Sequence, residues 1–133
     1  VRWTMFIGIM AWPLRYILFM IPSLPIIVAA LSLHGFGYAF FMVTGNIYTN
    51  KKATDDMRAS AQALFIFATW GMGNYIGTLF TGYIWDTFKT PNGETIWWQF
   101  FMVPAIMCII MGLIFLAFFR DDPKVTEEDL KGV

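Results

Sequence analysis

Four long apolar runs constrain this chain more than any other feature of its sequence. They lie at about residues 3–20, 24–48, 59–85 and 97–119. A helix needs roughly 20 apolar residues to cross the ~30 Å hydrocarbon core of a bilayer. In that core the backbone has no water to bond, and a helix satisfies its polar groups within one segment. The runs therefore predict an all-α, polytopic transmembrane bundle with four spans over residues 1–119, followed by a cytoplasmic tail at residues 120–133.

The overall composition points to lipid rather than water as the solvent of this surface. Hydrophobic residues make up 58% of the chain and charged residues only 14%. A soluble domain of this size needs more charged surface than that. The formal net charge is zero, so there is no basic field that would attract nucleic acid. The expected partner is the lipid bilayer, with no nucleic acid.

No arrangement of residues typical of an enzyme is visible in the sequence. The spans contain no serine–histidine–acid set, no phosphate-binding loop and no paired carboxylates. The single cysteine, Cys108, lies in an apolar run, where a lone cysteine usually serves packing. No cysteine or histidine pair has the spacing of metal ligands. We therefore expect no enzymatic activity, no cofactor and no metal site.

The distribution of basic residues predicts the orientation in the membrane. The loop after the second run contains Lys51, Lys52 and Arg58, the tail contains three further basic residues, and the loop after the third run contains only Lys89. By the positive-inside rule, the middle loop and both ends of the sequence are expected on the cytoplasmic side. An even number of spans agrees with this placement.

Two residues near the middle of the second run could carry transport chemistry. His34 and Tyr38 are four positions apart and therefore share one helix face. Substrate sites of transporters lie near the bilayer midplane, and a histidine can exchange a proton near neutral pH. An equally weighted interpretation is that both side chains form hydrogen bonds to neighbouring helices.

Uncharged polar residues on the second and third runs extend the candidate binding set. Thr44, Asn46 and Asn74 lie among several aromatic residues. Such a mixture suits a neutral polar ligand with a flat ring, although hydrogen bonds between helices would also explain each residue. Arg15 lies within the first run, where it must reach the outer interface or find a partner, such as a salt bridge or the substrate.

The central stretch resembles the nucleoside:proton symporter family of the major facilitator superfamily. The first run matches at Ala11–Trp12–Pro13–Leu14–Arg15–Tyr16 and the third matches from Gly73 to Gly82. The central matching elements are Leu33–His34–Gly35, Tyr38–Ala39–Phe40–Phe41, Val43–Thr44–Gly45, Ile47–Tyr48, Lys51–Lys52 and Arg58–Ala59–Ser60–Ala61–Gln62.

This resemblance implies that the four spans are helices nine to twelve of a twelve-helix fold in the cell inner (plasma) membrane. The earlier helices would lie in a missing N-terminal part of the same chain, consistent with a sequence that begins at Val1. It also implies nucleosides and protons as partners and uptake by alternating access. His34 and Tyr38 match aromatic positions that line the family's nucleoside cavity.

One position departs from the family pattern. Ala39 stands where the family commonly has an acidic residue. Proton coupling would then rest on another group, with His34 and Arg15 as the candidates in this sequence, or on residues outside it.

Two other functions stay open from the sequence. A transporter of sugars or other neutral solutes would show the same polar and aromatic residues. A complete small four-helix membrane subunit that assembles into oligomers would have the same spans. The mass of the native polypeptide distinguishes the last alternative, because a mass several times larger than this chain excludes it.

Overall fold

The computed structural model describes residues 1–121, which form four helices. These are α1 (Arg2–Phe19), α2 (Leu24–Lys52), α3 (Arg58–Thr87) and α4 (Trp97–Phe118). Within the described residues the one strand-like feature is an isolated bridge between Lys89 and Thr95. The predicted all-α fold is confirmed. Helix α2 continues to Lys52, past the predicted end at residue 48, and its last turn carries Lys51 and Lys52, where cations favour the helix dipole.

Three of these helices are long and apolar enough to cross a membrane. They are α2, α3 and α4. Large apolar side chains on them remain exposed, among them Leu64 at 67% and Phe118 at 82%, which is the surface expected to face lipid or further helices. Helix α1 has 18 residues, and its two arginines lower its hydropathy. The protein is therefore a polytopic helical membrane protein, and the fourth span stays a prediction.

The helices pack in the order α4, α1, α2, α3. Helix α1 lies in the middle and contacts α2 on one side and α4 on the other. Helix α3 is held mainly where its first segment, Arg58–Ile66, packs against Thr44–Lys52 of α2. None of the residues in the most apolar window of α3 is buried by the rest of residues 1–121. Helix α3 therefore diverges from α2 beyond this contact, and a space opens between them.

A close backbone crossing joins α1 to α2. A Cβ atom placed on Gly8 would lie 2.8 Å from the backbone nitrogen of Phe41, and one on Gly37 would lie 3.1 Å from the carbonyl oxygen of Gly8. Small residues allow membrane helices to approach in this way. This close approach fixes the position of α1 along its axis relative to the middle of α2.

A second tight contact, between α1 and α4, should tolerate change better. A Cβ atom on Gly112 would overlap the terminal methyl of Met10, and it would lie 3.2 Å from Ile9 Cγ2, which needs to shift by only a few tenths of an ångström. A methionine side chain has three rotatable bonds and fills irregular space. We expect Gly112→Ala to shift the thermal midpoint of the complete protein in detergent by less than about 2 °C. A loss of 5 °C or more would mean that Met10 cannot move aside.

The connection between α3 and α4 is an ordered turn. Thr90 N donates to Glu94 O over 2.8 Å, and Gly93 has a φ of 81°, a left-handed conformation that glycine adopts without steric cost. Trp85 Nε1 donates to Thr95 Oγ1 over 2.8 Å. The turn signal in the Pro91–Asn92–Gly93 sequence is confirmed, and the ends of α3 and α4 are tied together there.

Candidate functional site

The space between the first three helices is a cavity of about 440 Å³. It is open on one side and is formed where α3 diverges from α2. Three of the predicted binding residues, His34, Tyr38 and Asn74, are brought together on its wall. The complete lining is Trp12 from α1, His34, Tyr38, Phe41 and Met42 from α2, and Thr69, Trp70 and Asn74 from α3.

Aromatic rings form two sides of this cavity. Tyr38 and Trp70 meet edge to face, with ring centroids 6.1 Å apart and an interplanar angle of 82°. Trp12 and Phe41 form a second pair at 5.5 Å and 66°. Both arrangements are favourable for aromatic quadrupoles. Together they leave broad apolar surface against which a flat ring can lie.

A π-helical turn in each of α2 and α3 contributes to the lining. The turns cover Ala39–Val43 and Phe67–Met72. A π turn inserts one residue into the helical repeat and is common at functional sites. Here the two turns supply four of the lining residues, namely Phe41, Met42, Thr69 and Trp70. The extra residue in each turn rotates the following helix face, so simple four-residue spacing does not predict which side chains reach the cavity.

The polar groups on the cavity wall are available to a ligand. Neither the side-chain amide of Asn74 nor the hydroxyl of Tyr38 has a hydrogen-bond partner among residues 1–121. Thr69 is different, because its Oγ1 donates to Phe65 O over 2.8 Å in its own helix. An amide and a phenol can each donate and accept, so the wall can bond both kinds of ligand atom.

Thr44 and Asn46 lie outside this cavity. Thr44 is buried, with 6% of its surface exposed, in the C-terminal segment of α2. Asn46 Nδ2 donates to Met42 O over 3.0 Å, one turn earlier in the same helix. Their predicted contact with substrate stays a prediction.

Arg15 contacts the Nδ1 atom of His34. Arg15 Nη1 lies 2.8 Å from His34 Nδ1, and Arg15 does not line the cavity itself. Within residues 1–121 no carboxylate forms an ion pair with Arg15. Arg15 therefore contacts a residue of α2, and its predicted role in a salt bridge or in coupling stays a prediction.

Sequence reasoning did not single out Trp12, Met42, Thr69 or Trp70 as site residues. Trp70 precedes Asn74 by four positions, but the π turn at Phe67–Met72 lies between them, so this spacing alone could not assign Trp70 to the site. Trp12 could not be assigned, because its place depends on how α1 crosses α2. In the described part of the chain, no group of three histidine, cysteine or acidic residues is placed to hold a metal ion.

Comparison with known proteins identifies the relatives of this chain. It is 29% identical over 122 residues to "Nucleoside permease NupG" of Escherichia coli, covering 88% of this chain. It is 35% identical over 100 residues to "Putative nucleoside transporter YegT" of the same organism, covering 71% of this chain. It is 26% identical over 131 residues to "Xanthosine permease", again of Escherichia coli, covering 93% of this chain.

The matched regions are short relative to these proteins. They cover 29%, 24% and 31% of the three relatives, so the chain spans less than a third of their length. No solved structure matches significantly. The model of the family described as "Nucleoside H+ symporter" matches residues 1–124, nearly the whole sequence. The relatives are named as permeases and transporters, which confirms the prediction that the chain is not an enzyme. The chain belongs to the nucleoside H+ symporter family.

Proposed function

We propose that the complete protein carries nucleosides across the membrane, and that the cavity between α1, α2 and α3 forms part of the nucleoside site. The observation that carries this proposal is the convergence of His34 and Asn74 with four aromatic rings, including that of Tyr38, around one cavity, in a chain of this family. The relatives named as nucleoside or xanthosine permeases support the same substrate class.

The chemistry of the wall matches a nucleoside in two respects. The nucleobase is a flat ring, and Tyr38, Trp70 and Trp12 offer apolar faces and edges on which it can stack, a contact that every base can make. The base edge and the ribose carry donors and acceptors, and His34 and Asn74 can bond them. The volume of about 440 Å³ lies in the range of small-molecule sites. The open side of the cavity leaves room for further contacts from the rest of the transporter.

We propose further that uptake is driven by protons and proceeds by alternating access. The name of the family model supports proton coupling. Helices α1, α2 and α4 carry no acidic residue, and Asp86 of α3 lies near the end of that helix. The Arg15 guanidinium has hydrogen-bond donors only, and it already contacts His34 Nδ1. We therefore place the coupling proton on a group outside residues 1–121 rather than on His34 or Arg15.

We propose a multi-pass protein of the cell inner membrane, with both ends of this segment on the cytoplasmic side. The basic loop at Lys51, Lys52 and Arg58 supports this orientation. Labelling of a cysteine introduced at Lys51 from the inside, and not from the outside, is the expected result.

Uptake of labelled uridine by the complete protein in proteoliposomes tests the proposal. We expect an inward proton gradient to stimulate uptake. We expect His34→Ala to lower uptake about tenfold both with and without the gradient, since one hydrogen bond to the ligand is lost while coupling is not. No uridine uptake, with uptake of glucose instead, would overturn the nucleoside proposal in favour of a sugar carrier. Equal uptake with and without the gradient would overturn proton coupling alone.

A further inference from the structure

We propose that Arg15 is a positioning residue that fixes the tautomer of His34, so that the imidazole presents an Nε2–H donor to the cavity. The inference rests on the proposed function, because it assigns a role to one wall of the nucleoside site. It goes beyond that function by naming which ligand atoms this wall selects. The observation behind it is the 2.8 Å distance from Arg15 Nη1 to His34 Nδ1.

Only one assignment of donor and acceptor satisfies this contact. A guanidinium stays protonated at any physiological pH and has donors only. His34 Nδ1 must therefore accept, which requires a neutral ring with its single proton on Nε2. The imidazolium form would place an N–H on Nδ1 against the Arg15 donor and break the bond. Arg15 thus selects the Nε2–H tautomer of His34.

The guanidinium is itself held in place on its other sides. Its Cζ atom lies 5.0 Å from the ring centroid of Tyr16 and 5.6 Å from that of Phe19. Cation–π contacts of this length are attractive, and more so away from water. Arg15 Nε is buried and has no hydrogen-bond partner among residues 1–121. These contacts hold the Arg15 guanidinium in place beside His34 Nδ1.

The cavity side of His34 is free to bind. His34 lines the cavity, and its Nε2 has no hydrogen-bond partner within the described part of the chain. The two ring nitrogens point in divergent directions, so an imidazole bonded to Arg15 at Nδ1 directs Nε2–H away from the arginine. A directed donor selects an acceptor on the ligand, such as a base carbonyl, an unprotonated ring nitrogen or a ribose oxygen. The wall then disfavours a ligand that offers only a donor at this position.

Nitrogen NMR of the complete protein tests the tautomer without any substrate. With ¹⁵N-labelled histidine, the signals of His34 are assigned by their loss in His34→Phe. We expect a pyrrole-type Nε2 and a pyridine-type Nδ1 in the unmodified protein. In Arg15→Met, which keeps a shorter unbranched side chain and removes the donors, we expect the two tautomers to interconvert. A pyrrole-type Nδ1 or an imidazolium spectrum in the unmodified protein would overturn the inference.

Transport kinetics test whether the tautomer matters for recognition. We expect Arg15→Met to raise KM for uridine about two- to tenfold, because the Nε2–H donor is then present in only part of the molecules and is no longer held in orientation, and to leave kcat within about twofold. Arg15→Lys retains a donor for Nδ1 and should recover most of the affinity. In a His34→Phe background, Arg15→Met should have no further effect on KM, because the two residues act through one contact.

The outcomes separate this inference from the proposed function. Additive effects of Arg15→Met and His34→Phe would mean that Arg15 does not act through His34, and would overturn the inference even if uridine is transported. Absence of uridine transport would overturn the proposed function, whereas the NMR result would still decide the tautomer. Loss of folded protein in Arg15→Met is controlled by Arg15→Lys, whose spectrum should keep the Nε2–H pattern.

Discussion

Gly8→Ala will lower the thermal midpoint of the complete protein by about 5 °C. The added Cβ atom would lie 2.8 Å from the Phe41 backbone nitrogen and 3.0 Å from the Phe40 carbonyl carbon. Both are backbone atoms, which cannot rotate away as a side chain can. Helices α1 and α2 must therefore separate, and contacts along their whole interface weaken. Thermal unfolding of the complete protein in detergent, followed by circular dichroism, measures the change.

Two other glycine substitutions serve as matched controls for this result. Alanine at Gly35 or at Gly77 would meet no atom within 4 Å among residues 1–121. Each change also adds helix propensity, by about 1 kcal/mol. We expect the midpoint to stay unchanged or to rise in both variants. A Gly8→Ala protein that is as stable as these two would show that α1 and α2 do not cross as closely as described.

Tyr38→Ala will weaken uridine binding by roughly tenfold to a hundredfold, the range for loss of one base-stacking ring. The substitution removes one ring from the cavity wall and also releases Trp70, whose ring rests edge-on against Tyr38 at a centroid distance of 6.1 Å. Trp70→Ala should have an effect of similar size, and the two effects should not be additive, because the rings support each other. Isothermal calorimetry with the complete protein measures the dissociation constants.

Two control variants are needed. The first separates the effect of the Tyr38 ring from that of its hydroxyl, and the second compares the cavity with an exposed ring outside it. Tyr38→Phe keeps the ring and removes only the hydroxyl, so we expect a loss of no more than about tenfold, the value of one hydrogen bond to the ligand, and a smaller loss than in Tyr38→Ala. Tyr75→Ala removes a tyrosine that is 69% exposed and lies outside the cavity, so uridine binding should not change. Equal losses in Tyr38→Ala and Tyr75→Ala would mean that the cavity is not the binding site.

Much of the helical framework is predictable from the sequence because it depends on local chemistry. Apolar runs of bilayer length become helices, as in α4, where residues 97–119 were predicted and Trp97–Phe118 is observed. The turn at Pro91–Asn92–Gly93 is local for the same reason, since Gly93 alone supplies the left-handed conformation. His34 and Tyr38 share a face because four positions are only slightly more than one helical turn. The family matched over residues 1–124 is likewise evident from residue order alone.

The composition of the cavity depends on tertiary structure. The sequence does not indicate the π turns at Ala39–Val43 and Phe67–Met72, because an added residue in a helical repeat is stabilised by packing rather than by local propensity. Those turns decide that Met42 and Trp70 line the cavity, whereas Asn46 bonds within its own helix.

The partner of Arg15 is also decided by tertiary structure. From the sequence, an arginine within a span could extend to the interface or bond within the bundle. The crossing of α1 and α2 at Gly8 and Gly37 fixes how far along its helix axis Arg15 lies. It thereby places Arg15 beside His34, 19 positions away in the chain. Helix formation is local and can be read along the chain, whereas the contacts between helices depend on how closely two backbones approach, which only the packed structure determines.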